Sequence, residues 1–191
     1  MKTLPAQLTP FIRSDALGAL LAQTLGFPDQ ENSLADLGRL TGVSAPVVHR
    51  EVSRLVETSI LLDRQVGRNR MVRANRDHPL FTHMHAIIMA TYGPVPVLQE
   101  IFTDVIGVDQ LYIYGSWAAR FTGEAGPYPN DLDVLTIGDT SQRVLSAKAA
   151  TASHQLGITV NITRLTIEQW ESDTPSPFVQ TLRSHPLVQV I

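Results

Sequence analysis

The sequence predicts an α/β (α+β) protein of two domains, and three observations carry that reading. First, the 191 residues hold stretches with helical spacing of apolar residues and stretches of β-branched, aromatic and alternating residues. Second, the front contains two short helices joined by a Gly turn and followed by a hairpin, whereas the back alternates strands with helices. Third, charge is unevenly spread. Residues 1–78 carry ten Lys/Arg and eight Asp/Glu, a balance of +2, and residues 79–191 carry five and ten, a balance of −5. A basic front and an acidic back suggest modules with different partners. The boundaries follow as a first domain over 1–78, a helical linker over 79–105 and a second domain over 106–191.

Composition limits the classes available. A hydrophobic fraction of 43% and a charged fraction of 17% describe a chain that folds around a core. No apolar run reaches the length of a membrane span, and the start has no signal-peptide core, so no membrane partner is expected. With zero cysteines, disulfides, thiolate metal sites and cysteine nucleophiles are excluded. These features fit a cytoplasmic protein.

In the first domain, Thr9 or Ser14 is placed to cap a helix with Phe11, Ile12, Leu17, Leu20, Leu21 and Leu25 as its apolar positions, ending near Gly26. Ser33 caps a second helix over 34–40. Thr41-Gly42-Val43 is a tight turn. Ser44 caps a third helix with Pro46 in its first turn, where a missing N–H costs nothing. Val48, Val52, Leu55 and Val56 form its buried stripe; His49, Arg50, Ser53 and Arg54 fall largely on the opposite face, and Glu51 away from the groove. Residues 60–73 read as a hairpin turning at Gly67, with Asn69 close by. Arg64, Arg68, Arg70, Arg73 and Arg76 occur there with no acid over residues 64–76, a basic wing beside a helix.

The block from Ser33 to Pro79 resembles winged helix-turn-helix repressors of the arsenic-sensor type. The resemblance rests on Leu34-Ala-Asp-Leu-Gly, Thr41-Gly-Val-Ser, Val48-His-Arg-Glu-Val and Gly67-Arg-Asn-Arg. It implies double-stranded DNA as partner, with Ser44, Ala45, Pro46, His49, Arg50 and Arg54 facing the groove. Arg64, Arg68, Arg70 and Arg73 are expected on phosphates, where they add affinity without reading sequence. It further implies a homodimer on a palindromic operator, with the first helix and the 79–92 helix as candidate interface elements. The thiol ligands of the arsenic sensors are missing, so metal sensing is not implied. His83 and His85, two apart on a helix, point apart and are read as structural.

The linker is expected to hold one helix over 79–92, ended by Gly93-Pro94, and another over 97–106. The second domain centres on Leu111-Tyr-Ile-Tyr-Gly-Ser, a buried strand broken by Gly115-Ser116. After a loop from Gly123 to Asn130 comes the strand Asp131-Leu-Asp-Val-Leu-Thr-Ile. Asp131 and Asp133 are two apart, so they share a face, and Leu132 and Val134 point into a core. Neighbouring carboxylates repel and resist desolvation unless a cation joins them. Mg²⁺ takes one or two carboxylates plus water and phosphate oxygens. Gly115 lacks a Cβ, so a phosphate chain can approach the backbone, with Ser116 as a donor. A helix over 142–156, closed by Gly157, the strand 158–165, helices at 166–170 and 178–183, and a last strand at 186–191 complete the reading.

Tyr114-Gly115-Ser116 with Asp131-Leu132-Asp133-Val134 resembles the minimal branch of the DNA polymerase β-like nucleotidyltransferases over residues 106 to 191. The resemblance implies a mixed sheet with flanking helices, NTP as substrate or ligand, and Mg²⁺ (or Mn²⁺) on Asp131 and Asp133. Those two aspartates are the implied catalytic and metal-binding residues. Gly115, Ser116 and Arg120 are the implied phosphate-holding residues. The family's third carboxylate, the base for the attacking hydroxyl, has no counterpart: Asn161 stands where it is expected. The implied activity is transfer of a nucleoside monophosphate to an acceptor. The alternatives are an inactive domain that senses a nucleotide or dimerises the reader, and a toxin–antitoxin component.

Overall fold

The structure, a computed structural model, describes residues 12–191. The chain has mixed α/β content and divides into two compact units, one up to Pro94 and one from Val95. Each carries its own sheet, one of three strands and one of four.

The first unit begins with α1 (Asp15–Leu25), capped by Ser14, whose Oγ accepts from the Leu17 amide at 3.2 Å. Thr9 and Phe11, named in the sequence reading, lie outside the described residues. A two-residue strand, β1 (Asn32–Ser33), leads into α2 (Leu34–Thr41). Ser33 caps that helix by accepting from the Asp36 amide at 3.1 Å. Gly42 ends it at φ 68°, a left-handed turn that glycine enters without a Cβ penalty. Next come α3 (Ala45–Glu57), with Pro46 in its first turn, and the hairpin β2 (Leu61–Val66) and β3 (Asn69–Ala74). Val66 faces Asn69 across the turn at Gly67. The strand order is β1-β3-β2, all antiparallel. A helix pair joined by a turn is followed by a hairpin, the element order expected from the sequence.

Leu20, Leu37, Val48, Val52, Leu61 and Val72 form the core of this unit. Residues 79–105, expected as a helical linker, hold two helices that fall in different units. α4 (Phe81–Tyr92) packs against α1, and its Ile88 joins the first core. The Tyr92 ring lies so close to α1 that a Cβ on Gly18 would stand 2.3 Å from its Cζ. α5 (Pro94–Phe102) starts at the division. It ties into the second unit, where Gln99 Nε2 donates to the Val190 carbonyl at 2.9 Å.

The second unit runs β4 (Gln110–Tyr114), α6 (Gly115–Phe121), β5 (Asp131–Ile137), α7 (Gln142–Leu156) and β6 (Thr159–Leu165). It finishes with α8 (Ile167–Glu171), α9 (Pro177–Ser184) and β7 (Val188–Gln189). The sheet order is β6-β5-β4-β7. β5 and β6 are parallel, with α7 as the crossover; β4 is antiparallel to both its neighbours. Ser141 caps α7 and Gly157 closes it at φ 69°. A reciprocal Thr166–Gln169 capping box starts α8.

Pairing fixes what each face carries. Leu111, Ile113, Leu132 and Val134 share one face and are fully buried. Tyr112, Tyr114, Asp131, Asp133, Leu135, Asn161 and Thr163 share the other. Val179 and Leu182 of α9 cover the Leu135, Ile137 and Leu165 end of that second face.

Candidate functional site

The acid pair sits at the open end of this face. Asp131 and Asp133 are half-buried, while the residues between and after them, Leu132 and Val134, have no exposed surface. The strand's alternation therefore anchors the backbone on one side and presents both carboxylates on the other. Parallel pairing puts Asn161 of β6 directly opposite Asp133. Its Nδ2 donates to Asp131 Oδ2 at 3.1 Å and to Asp133 Oδ1 at 3.2 Å. One amide thus spans both acids. Among the described residues no group of three His, Cys, Asp or Glu stands together; the side chain facing the two acids is the neutral amide of Asn161.

Gly115 closes the other side. Its φ is +72°, a conformation costly for residues with a Cβ. A Cβ there would lie 2.8 Å from Asp133 Oδ2. The bare turn and the carboxylate are therefore packed against each other, and glycine is required twice over. Ser116, the next residue, is exposed. Trp117 is buried and stacks on Phe121 with ring centroids 4.9 Å apart, an apolar underside for the turn.

Arg120 does not stand free beside the turn. Its Nη1 donates to the Glu124 carbonyl at 2.8 Å, and its Nη2 is 3.8 Å from Glu124 Oε2. A Cβ on Gly126 would lie 2.4 Å from Nη1. The side chain folds forward from the last turn of α6 and organises the loop that leads to β5.

The basic surface of the first unit is also more ordered than its sequence suggests. On α3, Ser44, Ala45, Pro46, His49, Arg50 and Arg54 are exposed, as the helical period requires. Glu51 is buried at 4% exposure and gathers three guanidiniums. Arg13 pairs with its Oε2, Arg50 Nε donates to Oε1 at 3.1 Å, and Arg54 Nη1 lies 3.5 Å from Oε1. Burial pushes the Glu51 carboxyl up; the hydrogen bonds of Arg50 and Arg13 and the charges of Arg13 and Arg54 outweigh it and hold it below its ordinary value. Three cations on one anion leave positive charge at this surface.

In the hairpin Arg64 Nε donates to Glu31 at 2.7 Å, and in the turn after it Arg76 Nη1 donates to Asp29 at 2.7 Å. Arg70 is a brace: Nε donates to Asp63 at 2.7 Å and Nη1 to Ser53 Oγ of α3 at 3.0 Å. Arg68 and Arg73 are exposed and make no ion pair within 4.0 Å among the described residues, though the charge of Arg73 acts on the Glu31 carboxylate. The acids that meet Arg64 and Arg76 come from residues 29 and 31, far from the hairpin in sequence, so scanning residues 64–76 alone could not reveal them.

Compared with protein families, curated proteins and solved structures, the chain matches none.

Proposed function

We propose that the chain is a DNA-binding transcription regulator whose second unit binds a nucleoside triphosphate together with Mg²⁺ or Mn²⁺. The observation that supports this best is the pairing of two carboxylates on one sheet face with a bare, left-handed glycine pressed against one of them. Asp131 and Asp133 would hold the cation, which supplies charge neutralisation for the phosphates. For that, the Asn161 amide turns, so that its oxygen rather than its nitrogen faces the acids. Gly115 leaves room for the phosphate chain, and Ser116 offers a hydroxyl beside it. Transfer of the nucleoside monophosphate would join an acceptor oxygen to the α-phosphorus, break its bond to the bridging oxygen and release pyrophosphate. The acceptor's proton would pass to water, since no third carboxylate stands at Asn161.

Support for the DNA reading comes from the exposed face of α3, the arginine excess around Glu51, and the exposed Arg68 and Arg73 on the wing. A homodimer on a palindromic site in the cytoplasm is part of this proposal.

A second reading is favoured by Asn161. A neutral amide in place of a base suits a unit that binds a nucleotide and reports it to the DNA reader without turnover. Incubation with α-labelled NTP and Mg²⁺ separates the two. Label on protein, RNA or a small-molecule acceptor supports transfer; bound nucleotide without transferred label supports sensing. Failure to bind any of ATP, GTP, CTP or UTP would reject both.

A further inference from the structure

The face that carries the acid pair is divided by one side chain. Tyr114 lies opposite Asp133 in the β4–β5 ladder, so both project on the same side. Its Oη stands 3.0 Å from Thr163 Oγ1 on β6. β5 lies between β4 and β6, so the tyrosine reaches across the central strand. On one side of this bar are Asp131, Asp133 and Asn161. On the other are Leu135, Ile137 and Leu165 under α9.

Phe178, in the first turn of α9, meets the Tyr114 ring edge-on, with centroids 6.5 Å apart and planes at 81°. The next residue, Val179, and Leu182 are buried and anchor the helix, yet Phe178 remains 44% exposed. It is an aromatic ring held by its neighbour at the border of the acid end, with surface left open. Tyr114 links the two ends: it stands opposite Asp133 in the ladder, and its ring meets Phe178.

We propose that Phe178, backed by Tyr114, is the base-binding wall of the site: it takes the nucleobase of the nucleotide whose phosphates lie toward Asp131 and Asp133. This rests on the nucleotide reading above. The cleft then matches a ligand with two unlike ends. The carboxylates take the anionic end through a cation, and the ring takes the aromatic end by stacking, which every base provides. Tyr114 cannot tilt freely because its hydroxyl is tied to Thr163, so the wall is set before the ligand arrives. Stacking reads a ring rather than a pattern of donors, so ATP and GTP should bind alike.

The test is calorimetry on the full chain with Mn²⁺, using ATP and inorganic tripolyphosphate as separate probes. Wild type should bind ATP more tightly than tripolyphosphate. Phe178→Ala should weaken ATP roughly tenfold and leave tripolyphosphate unchanged, and Phe178→Trp should restore ATP binding. Circular dichroism on the variants checks that α9 is intact. Equal loss for both probes, or no loss for ATP, overturns the wall. So does a wild type that binds the two probes equally. If wild type binds neither probe, the nucleotide reading itself is overturned, and the wall with it.

Discussion

Asn161 stands opposite Asp133 across two parallel strands, and its amide nitrogen lies 3.2 Å from the aspartate's Oδ1. The same nitrogen is 3.1 Å from Asp131 Oδ2. The amide thus supplies two hydrogens where a cation would supply charge, and each can satisfy the acid pair. Replacing Asn161 by Asp removes the competing donor and adds a third oxygen anion. Mn²⁺ affinity is expected to rise by roughly tenfold or more in Asn161→Asp, read by calorimetry without nucleotide. Unchanged affinity would mean that the cluster is a structural hydrogen-bond set.

Gly115 ties the turn to the acid. Gly115→Ala forces a Cβ into a left-handed backbone and to within 2.8 Å of Asp133 Oδ2. The left-handed conformation alone costs about 1–2 kcal/mol. The variant should melt lower and lose Mn²⁺ affinity together. A variant that melts lower but binds Mn²⁺ normally would show that Asp133 is free to move and is not positioned by the turn.

Glu51 gives a prediction with an unexpected sign. If α3 binds DNA as proposed, removing an acid beside its arginines would ordinarily strengthen binding through charge. Here the acid orients Arg50 and Arg54. Glu51→Gln should therefore weaken binding to a duplex selected from a random pool, by about tenfold, while binding to bulk DNA holds or rises. Gel shift with both duplexes reads the split. Tighter binding to the selected duplex would contradict the positioning role.

The wing arginines divide by their partners. Arg68 makes no ion pair among the described residues, so Arg68→Ala should flatten the slope of log K against log salt by about one, and Arg73→Ala should change it less because its charge already acts on Glu31. Arg64→Ala should change it less, because Glu31 already neutralises that charge. For Arg70→Ala the expected loss is in stability, since it joins the wing to Ser53 of α3. Equal slopes for all four would show that these pairs open on DNA.

His85 sets a pH dependence. Burial lowers its pKa; the hydrogen bond from its Nδ1 to the Leu25 carbonyl, 2.7 Å away, opposes that shift. The fold prefers the neutral ring, so as pH falls below the ordinary imidazole value of about 6.5 the unfolded chain gains protons first. Stability is full above that value and is lost as pH falls through the lowered native pKa. His85→Gln should flatten the melting profile between about pH 7 and 5, above the range where the carboxylates titrate.

Much of this arrangement is legible in the chain because it is local. Caps at Ser14 and Ser33 act within three residues, and the two-residue period of β5 puts Asp131 and Asp133 on one face whatever surrounds them. What was not legible depends on distant partners. The contact of Asn161 with both acids needs the register of two strands 30 residues apart. The pairing of Arg64 with Glu31 and the division of the linker between two cores depend on tertiary packing. The bond of Arg120 to the Glu124 carbonyl was not legible either, because helix position says nothing of where a long side chain folds. The strand β1 is too short to show any period.

The most direct measurement is Mn²⁺ binding followed by electron paramagnetic resonance in the presence of ATP, for wild type and for Asp131→Asn and Asp133→Asn. One bound Mn²⁺ per chain, tightened by ATP and lost in both variants, is the result expected of a cation held by this acid pair. Mn²⁺ that binds equally in all three proteins, or in none, would contradict it.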